Sequence, residues 1–277
     1  MKYDCLIIGA GPAGVTAALY LRRAGLNVLV LFKDEGALKR ATIKNYYSYL
    51  GGNGETLFNQ GLLQLKENDI SCIKEEVLSL KDFGTSFSVQ TKDHIYSTEY
   101  LLLAMGRDNS KLDSRFQKYL GRGVSLCAIC DGPLFRNKAI YVTGQEPYLA
   151  NIQKELSNYS TKINVINEDD IISLNGKDEL EGISLSDGTN LKINNLFVAL
   201  PLSSTEISLN LGIILLENGR IKTDDKRKTN INKVFATGDI CEGLTQVNKA
   251  VFDGMIAALQ IIEEIKDGRS ANNEKKN

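Results

Sequence analysis

The stretch DCLIIGAGPAGVTAALYLRRAGLNVLVLF, Asp4 to Phe32, restricts the fold more than any other part of the chain. DCLIIGAG reads as a buried strand, Pro12 to Ala24 as a helix and NVLVLF as the next strand, together one βαβ unit. The turn carries Gly9, Gly11 and Gly14 in GxGxxG spacing. Gly9 allows the tight turn, Gly11 lets the backbone approach a pyrophosphate, and Gly14 lets helix and strand pack closely while the helix N-terminus faces the phosphates. The competing reading is a tight strand-helix turn with no ligand. The acidic residue expected at the end of the second strand, for a ribose hydroxyl, is missing: Phe32 stands there, with Lys33, Asp34 and Glu35 just beyond.

Strand and helix patterns continue to alternate, which favours layered α/β architecture over a bundle or a sandwich. SFSVQTKDHIYSTEYLLLAMG alternates like antiparallel strands and ends in a buried run, and the polar RDNSKLDSRFQKYLGRG after it reads as a linker. A second α/β block runs from Gly123 to Asp224. The basic DDKRKTNIN then leads into KVFATGDI and a last helix, Gln246 to Ile265, which look like a return to the first domain. The fold expected is therefore α/β with two Rossmann-like three-layer domains, the second inserted into the first: 1–111 plus 229–277, and 112–228. The tail SANNEKKN is expected to be disordered, and no internal repeat is visible.

The 277 residues, 43% of them apolar, suffice for two cores. A formal net charge of −1 gives no bulk pull toward nucleic acid or membrane, and no apolar run approaches spanning length. Five cysteines, an odd number, argue against a disulfide framework and for a reducing cytoplasm.

CAICD places Cys127 and Cys130 two residues apart, with Asp131 directly after. A CxxC pair can close a small disulfide ring and exchange it with another protein. Zinc is the rival, but a structural site needs four ligands and the rest of the chain offers only Cys5, Cys72, Cys241 and His94, so no metal is expected. The sole histidine reads as an ordinary strand residue, which leaves acid-base work beside the thiols to Asp131. A third signal is TNINKVFATGDI, where a strand ending in Gly238-Asp239 can set a carboxylate on the ribityl hydroxyls of a flavin. Its bland alternative is a turn with an N-capping Asp.

Together these motifs resemble the low-molecular-weight thioredoxin reductases over essentially the whole chain, with GRGVSLCAICDGPLFRNK especially close to that family's active-site stretch. The resemblance implies FAD across the first domain, a redox disulfide in the inserted one, thioredoxin as acceptor and a homodimer. By position it assigns FAD contacts to Gly9, Gly11, Pro12, Ala13, Gly14, Asn45, Val77, Ala104, Gly106, Gly238, Asp239, Gln246 and Val247. It also implies that Cys130 faces the flavin and Cys127 attacks thioredoxin, with domain motion between the two steps. Met105 and Thr245 depart from the family's usual Thr and Arg.

The larger departure lies in the inserted domain, where the family carries GxGxxA and an HRRxxxR stretch for NADPH. Setting RNKAIYVTGQEPYLA on that pattern puts Thr143, Gln145 and Tyr148 at the three small-residue positions, and NVINEDDII offers Glu168, Asp169 and Asp170 where arginines belong. An enzyme that keeps FAD and disulfide but not this site needs another electron source. The chain is similar to the ferredoxin-dependent flavin thioredoxin reductases, which makes reduced ferredoxin the expected donor. Arg136 with Lys138, or Lys226 to Lys228, are its candidate docking sites. Another donor, such as a deazaflavin, a second flavin or NAD(P)H, and a non-enzymatic FAD-binding sensor are the alternatives.

Overall fold

The computed structural model describes residues 2–34, 36–109, 112–201 and 206–274; of residues 40, 206 and 271–274 it describes the backbone only. The chain divides into two compact units, Met1–Asp108 with Ser203–Asn277, and Asn109–Leu202.

In the first unit β1 (Lys2–Ile8), α1 (Pro12–Arg23) and β2 (Val28–Phe32) form the expected βαβ element. A small ladder, β3 (Thr42–Ile43) with β4 (Gly52–Asn53), precedes α2 (Gly54–Glu67) and β5 (Ser71–Lys74). The hairpin β6 (Val77–Asp82) and β7 (Phe87–Thr91) leads into β8 (Ile95–Leu103), and β16 (Val234–Ala236) completes the sheet. Its order is β5-β2-β1-β8 with β16 beside β8, all parallel. The hairpin joins the front half of β8 in antiparallel register, Phe87 opposite Thr98.

Alternation along β1 explains its unbroken apolar run. Cys5 and Ile7 enter one cluster with Ala17, Ala18 and Leu21 of α1, while Leu6 and Ile8 enter a second with Val89, Leu101 and Ile221. A strand with parallel neighbours on both edges and a core on each face has no polar side to present. On the α1 face lies α7 (Val247–Glu274), so close that a Cβ on Gly254 would stand 2.2 Å from the Ala13 carbonyl oxygen.

The second unit holds α3 (Ser114–Gln117), β9 (Val124–Ser125), α4 (Ala128–Asp131), β10 (Ile140–Gly144), α5 (Tyr148–Leu156), β11 (Ile163–Val165) and β15 (Leu196–Ala199). Its parallel sheet runs β11-β10-β15-β9, beside an antiparallel ladder of β12 (Ile171–Asn175), β13 (Gly182–Leu185) and β14 (Asn190–Leu191). The trio β11-β10-β15 repeats β2-β1-β8 of the first unit, a duplication that the sequence does not display.

Four expectations change. The stretch read as a linker is core: Leu112, Phe116 and Tyr119, at helical spacing, are almost fully buried in the second unit. The return to the first unit comes before residue 229, since α6 (Glu206–Leu209) belongs to that unit, Ile213 and Ile221 lie in its core and Ile221 bridges to Cys241. The polar DDKRKTNIN is a turn inside that unit and no boundary. Helix α7 extends to Glu274, through most of the stretch expected to be disordered; residues 275–277 lie outside the described ones. Among the described residues no helix is long and apolar enough to cross a membrane.

Candidate active site

Beyond the C-terminal ends of β1 and β8 lies a cavity of about 360 Å³, large enough for a sizeable ligand. Gly9, Gly11, Pro12, Ala13, Val77, Ala104, Gly106, Gly238, Asp239, Gln246 and Val247 line it, all expected from the sequence. Gly14 lies beneath, where a Cβ would come within 1.9 Å of the Gly9 carbonyl oxygen. Asn45 is exposed and donates its amide to Gln246 Oε1 at 3.0 Å. A Cβ on Gly11, by contrast, would meet nothing within 4 Å, which leaves the approach to the α1 N-terminus open for a phosphate.

Other lining residues were not among the expected contacts. Phe32 stacks at a tilt on Phe58, centroids 5.7 Å apart, and Asp34 holds the turn after β2 by accepting from the Gly36 N–H at 2.7 Å. Glu75 accepts from Thr91 at 2.7 Å and Tyr96 at 3.1 Å and pairs with His94 Nδ1 at 2.8 Å. The Thr91 bond, followed by those of His94 and Tyr96, holds the Glu75 carboxyl below its ordinary range. His94 is therefore in a turn before β8 with a carboxylate partner, not the plain strand residue expected.

Asp239 follows Gly238, and burial raises its pKa against the opposing pull of Arg107, Lys249 and Arg220. The Gly238-Asp239 turn is clamped by Asp253, fully buried on α7. One Asp253 oxygen accepts from Gly238 N–H at 3.3 Å and pairs with Lys249 at 2.8 Å, the other meets Arg227 at 2.7 Å, and Lys249 also donates to the Gly238 carbonyl at 2.8 Å. Asp253→Ala strands two largely buried cations, so chemical denaturation is expected to show a loss of about 3–5 kcal/mol, together with lost cofactor. Unchanged stability would contradict the clamp.

In the second unit Cys127 and Cys130 are joined as a disulfide, Cα atoms 5.3 Å apart. Cys127 precedes α4 and its sulfur accepts the Cys130 N–H at 3.1 Å. Cys130 is exposed and Cys127 half-buried. Ser125, which the sequence reading passed over, accepts from the Cys127 N–H at 3.1 Å and donates to Asp131 Oδ2 at 2.6 Å, so Asp131 is fixed beside the pair.

The turn between β10 and α5 corrects the sequence register by one residue. A Cβ on Gly144 (φ +141°) would lie 2.1 Å from the Ala199 carbonyl oxygen, as one on Gly9 (φ +114°) would lie 2.2 Å from that of Ala104. Gly144, not Thr143, is thus the counterpart of Gly9. Beyond Gly144 the two turns diverge: α1 begins at Pro12 with the Val15 N–H on the Gly11 carbonyl, whereas α5 begins only at Tyr148 with the Leu149 N–H on the Gln145 carbonyl, and Glu146 lies in the loop that enters α5. Glu146 turns its carboxylate back on the helix, where Oε2 accepts the Ala150 N–H at 3.3 Å. Past β11, at the same end of the sheet, Glu168 to Asp170 form a single turn, with Glu168 raised by partial burial. Tyr148, the first residue of α5, is half-buried and packs against the core of this sheet.

The sequence profile of the pyridine nucleotide-disulphide oxidoreductases matches residues 3–144 and 145–254, and the chain belongs to that family. It is 33% identical over 301 residues to a thioredoxin reductase of Ureaplasma parvum, covering 95% of this chain and 97% of that one. The structure of a thioredoxin reductase from Streptococcus pyogenes matches with TM-score 0.85 at 26% identity, covering 96% of this chain and 99% of that one. A ferredoxin-flavin thioredoxin reductase from Clostridium acetobutylicum matches with TM-score 0.58 at 27% identity, covering 96% and 99%. Within the family the chain is thus of the thioredoxin reductase branch, flavin enzymes with FAD as cofactor and here a Cys127–Cys130 redox disulfide.

Proposed function

We propose that the chain reduces thioredoxin, or a thioredoxin-like protein, with electrons from reduced ferredoxin and not from NADPH. Glu146 carries this proposal. Where the first unit keeps a bare glycine for a pyrophosphate, the second puts a carboxylate against the helix amide, and three more carboxylates follow β11. A phosphate approaching there meets bulk and like charge together.

The cavity residues fit FAD. The α1 N-terminus with Gly9 and Gly11 would hold its diphosphate, Asp239 its ribityl hydroxyls, and Asn45, Gln246 and Val247 its ring, with Pro12, Ala13, Val77, Ala104, Gly106 and Gly238 shaping the wall and Gly14 supporting the turn from below. When bound, FAD supplies a centre that takes up electrons singly and passes a pair to a disulfide. Two electrons and two protons convert Cys127–Cys130 to the dithiol, with Asp131 placed to move a proton. The Cys127 thiolate then attacks the partner's disulfide, and Cys130 closes the ring again as the partner's dithiol leaves. The setting is a reducing cytoplasm, in keeping with the free thiols of Cys5, Cys72 and Cys241, and the assembly a homodimer, as the resemblance implies.

Of the two candidate docking patches for ferredoxin, Lys226 to Lys228 is neutralised, since Lys226 meets Glu263 at 3.7 Å, Arg227 Asp253 at 2.7 Å and Lys228 Glu264 at 2.6 Å. Arg136, stacked over Tyr159, and Lys138 are exposed and form no ion pair with a described acidic residue. Ferredoxins are typically acidic, so reversing both charges, with Arg136→Glu and Lys138→Glu, is expected to slow ferredoxin-driven flavin reduction at low salt by about tenfold. Rising salt is expected to slow the unaltered protein too, while reduction by dithionite responds much less. Equal rates for the doubly reversed and the unaltered proteins would remove this patch from the reading.

A further inference from the structure

The cofactor cavity reaches the end of β2, where Phe32, Lys33 and Asp34 line it. In a dinucleotide-binding βαβ unit that strand end faces the ribose of the adenosine half, and a carboxylate there accepts a hydrogen bond from the 2′-hydroxyl. Phe32 holds the place here. Its ring is half-buried and tilted against Phe58, centroids 5.7 Å apart, so the strand end contributes packing and no acceptor. The hydroxyl then goes unanswered unless another residue of the wall supplies an oxygen.

Glu75 and Glu76, which also line the cavity, follow Lys74, the residue paired with Phe32 across β5. Both oxygens of Glu75 are engaged, Oε1 by His94 and Oε2 by Thr91 and Tyr96, and Glu76 Oε1 meets Lys33 at 3.0 Å. Asp34 is placed differently. Its Oδ1 accepts the Gly36 N–H at 2.7 Å, which fixes the carboxylate within its own turn, while Oδ2 has no hydrogen-bond partner among the described residues. That turn lies against the exit of β8, since a Cβ on Gly36 would stand 3.7 Å from the Arg107 carbonyl oxygen. An acceptor already fixed on the wall has little freedom left to lose when a ligand arrives.

We propose that Asp34 is the residue that selects the ribose of the cofactor's adenosine half, its Oδ2 accepting the 2′-hydroxyl in place of the carboxylate that Phe32 displaces. The assignment rests on FAD occupying this cavity and is independent of the electron donor.

The test is calorimetric titration of apoprotein with FAD and, separately, with the FAD analogue whose adenosine half is 2′-deoxy. Unaltered protein is expected to bind FAD about tenfold more tightly than the analogue, the worth of one hydrogen bond to a charged acceptor. Asp34→Ser keeps an oxygen for the Gly36 N–H and removes the second one. It is expected to bind FAD about tenfold more weakly and the analogue as well as unaltered protein does, so that the preference disappears. Asp34→Asn is expected to fall between the two, and gives the reading should the serine variant fail to fold. Equal affinity of unaltered protein for both flavins would overturn the assignment. So would an equal loss for both in Asp34→Ser, the mark of a turn that only supports the wall, or a preference that survives there and passes the hydroxyl to another carboxylate such as Glu76. Binding of neither flavin by unaltered protein would refute FAD in this cavity, and the assignment with it.

Discussion

Cys127→Ser is expected to give a folded yellow protein whose flavin is still reduced but which passes no electrons to thioredoxin, with turnover down by about a thousandfold or more. The two sulfurs share one bond, so serine at 127 removes both the electron acceptor and the atom that forms the mixed disulfide. Cys130→Ser is expected to fall as far, since nothing then resolves that intermediate. The remaining thiols cannot stand in. Burial pushes Cys241 up to about 12 and Cys72 up to about 11, and Cys5 higher still, so none offers useful thiolate near neutral pH. Their serine variants are expected to turn over normally in a thioredoxin-coupled assay. Full turnover by Cys127→Ser would refute the disulfide's role.

The second large effect separates two glycines three residues apart. Gly11→Val is expected to fold and stay colourless, because its side chain enters open cavity that the cofactor's diphosphate requires. Gly14→Val is expected not to fold, because even a Cβ there collides with the Gly9 carbonyl oxygen at 1.9 Å. Circular dichroism and flavin absorbance on the two purified variants distinguish loss of ligand from loss of structure. A yellow Gly11→Val protein would contradict the placement of the diphosphate.

How much of this was legible depends on how local each cause is. The first βαβ element was readable because strand, turn and helix each leave a contiguous signature. The cavity residues are scattered from Gly9 to Val247, and only the resemblance assembled them. The inserted turn kept one glycine of its motif, too little to fix its register; that came from Ala199, more than fifty residues on, whose carbonyl allows no Cβ at 144. Leu112, Phe116 and Tyr119 did show helical spacing, but their polar neighbours outnumbered them. Lys226 and Lys228 looked free because Glu263 and Glu264 meet them only once α7 is packed.

The donor is the central claim, and an anaerobic absorbance spectrum of the oxidised, FAD-loaded protein tests it most directly, with NADPH, NADH and reduced ferredoxin added in turn. The flavin band is expected to persist with both pyridine nucleotides and to bleach with ferredoxin. Rapid bleaching by NADPH, with no response to ferredoxin at any ionic strength, would contradict the proposed loss of the nucleotide site at Glu146.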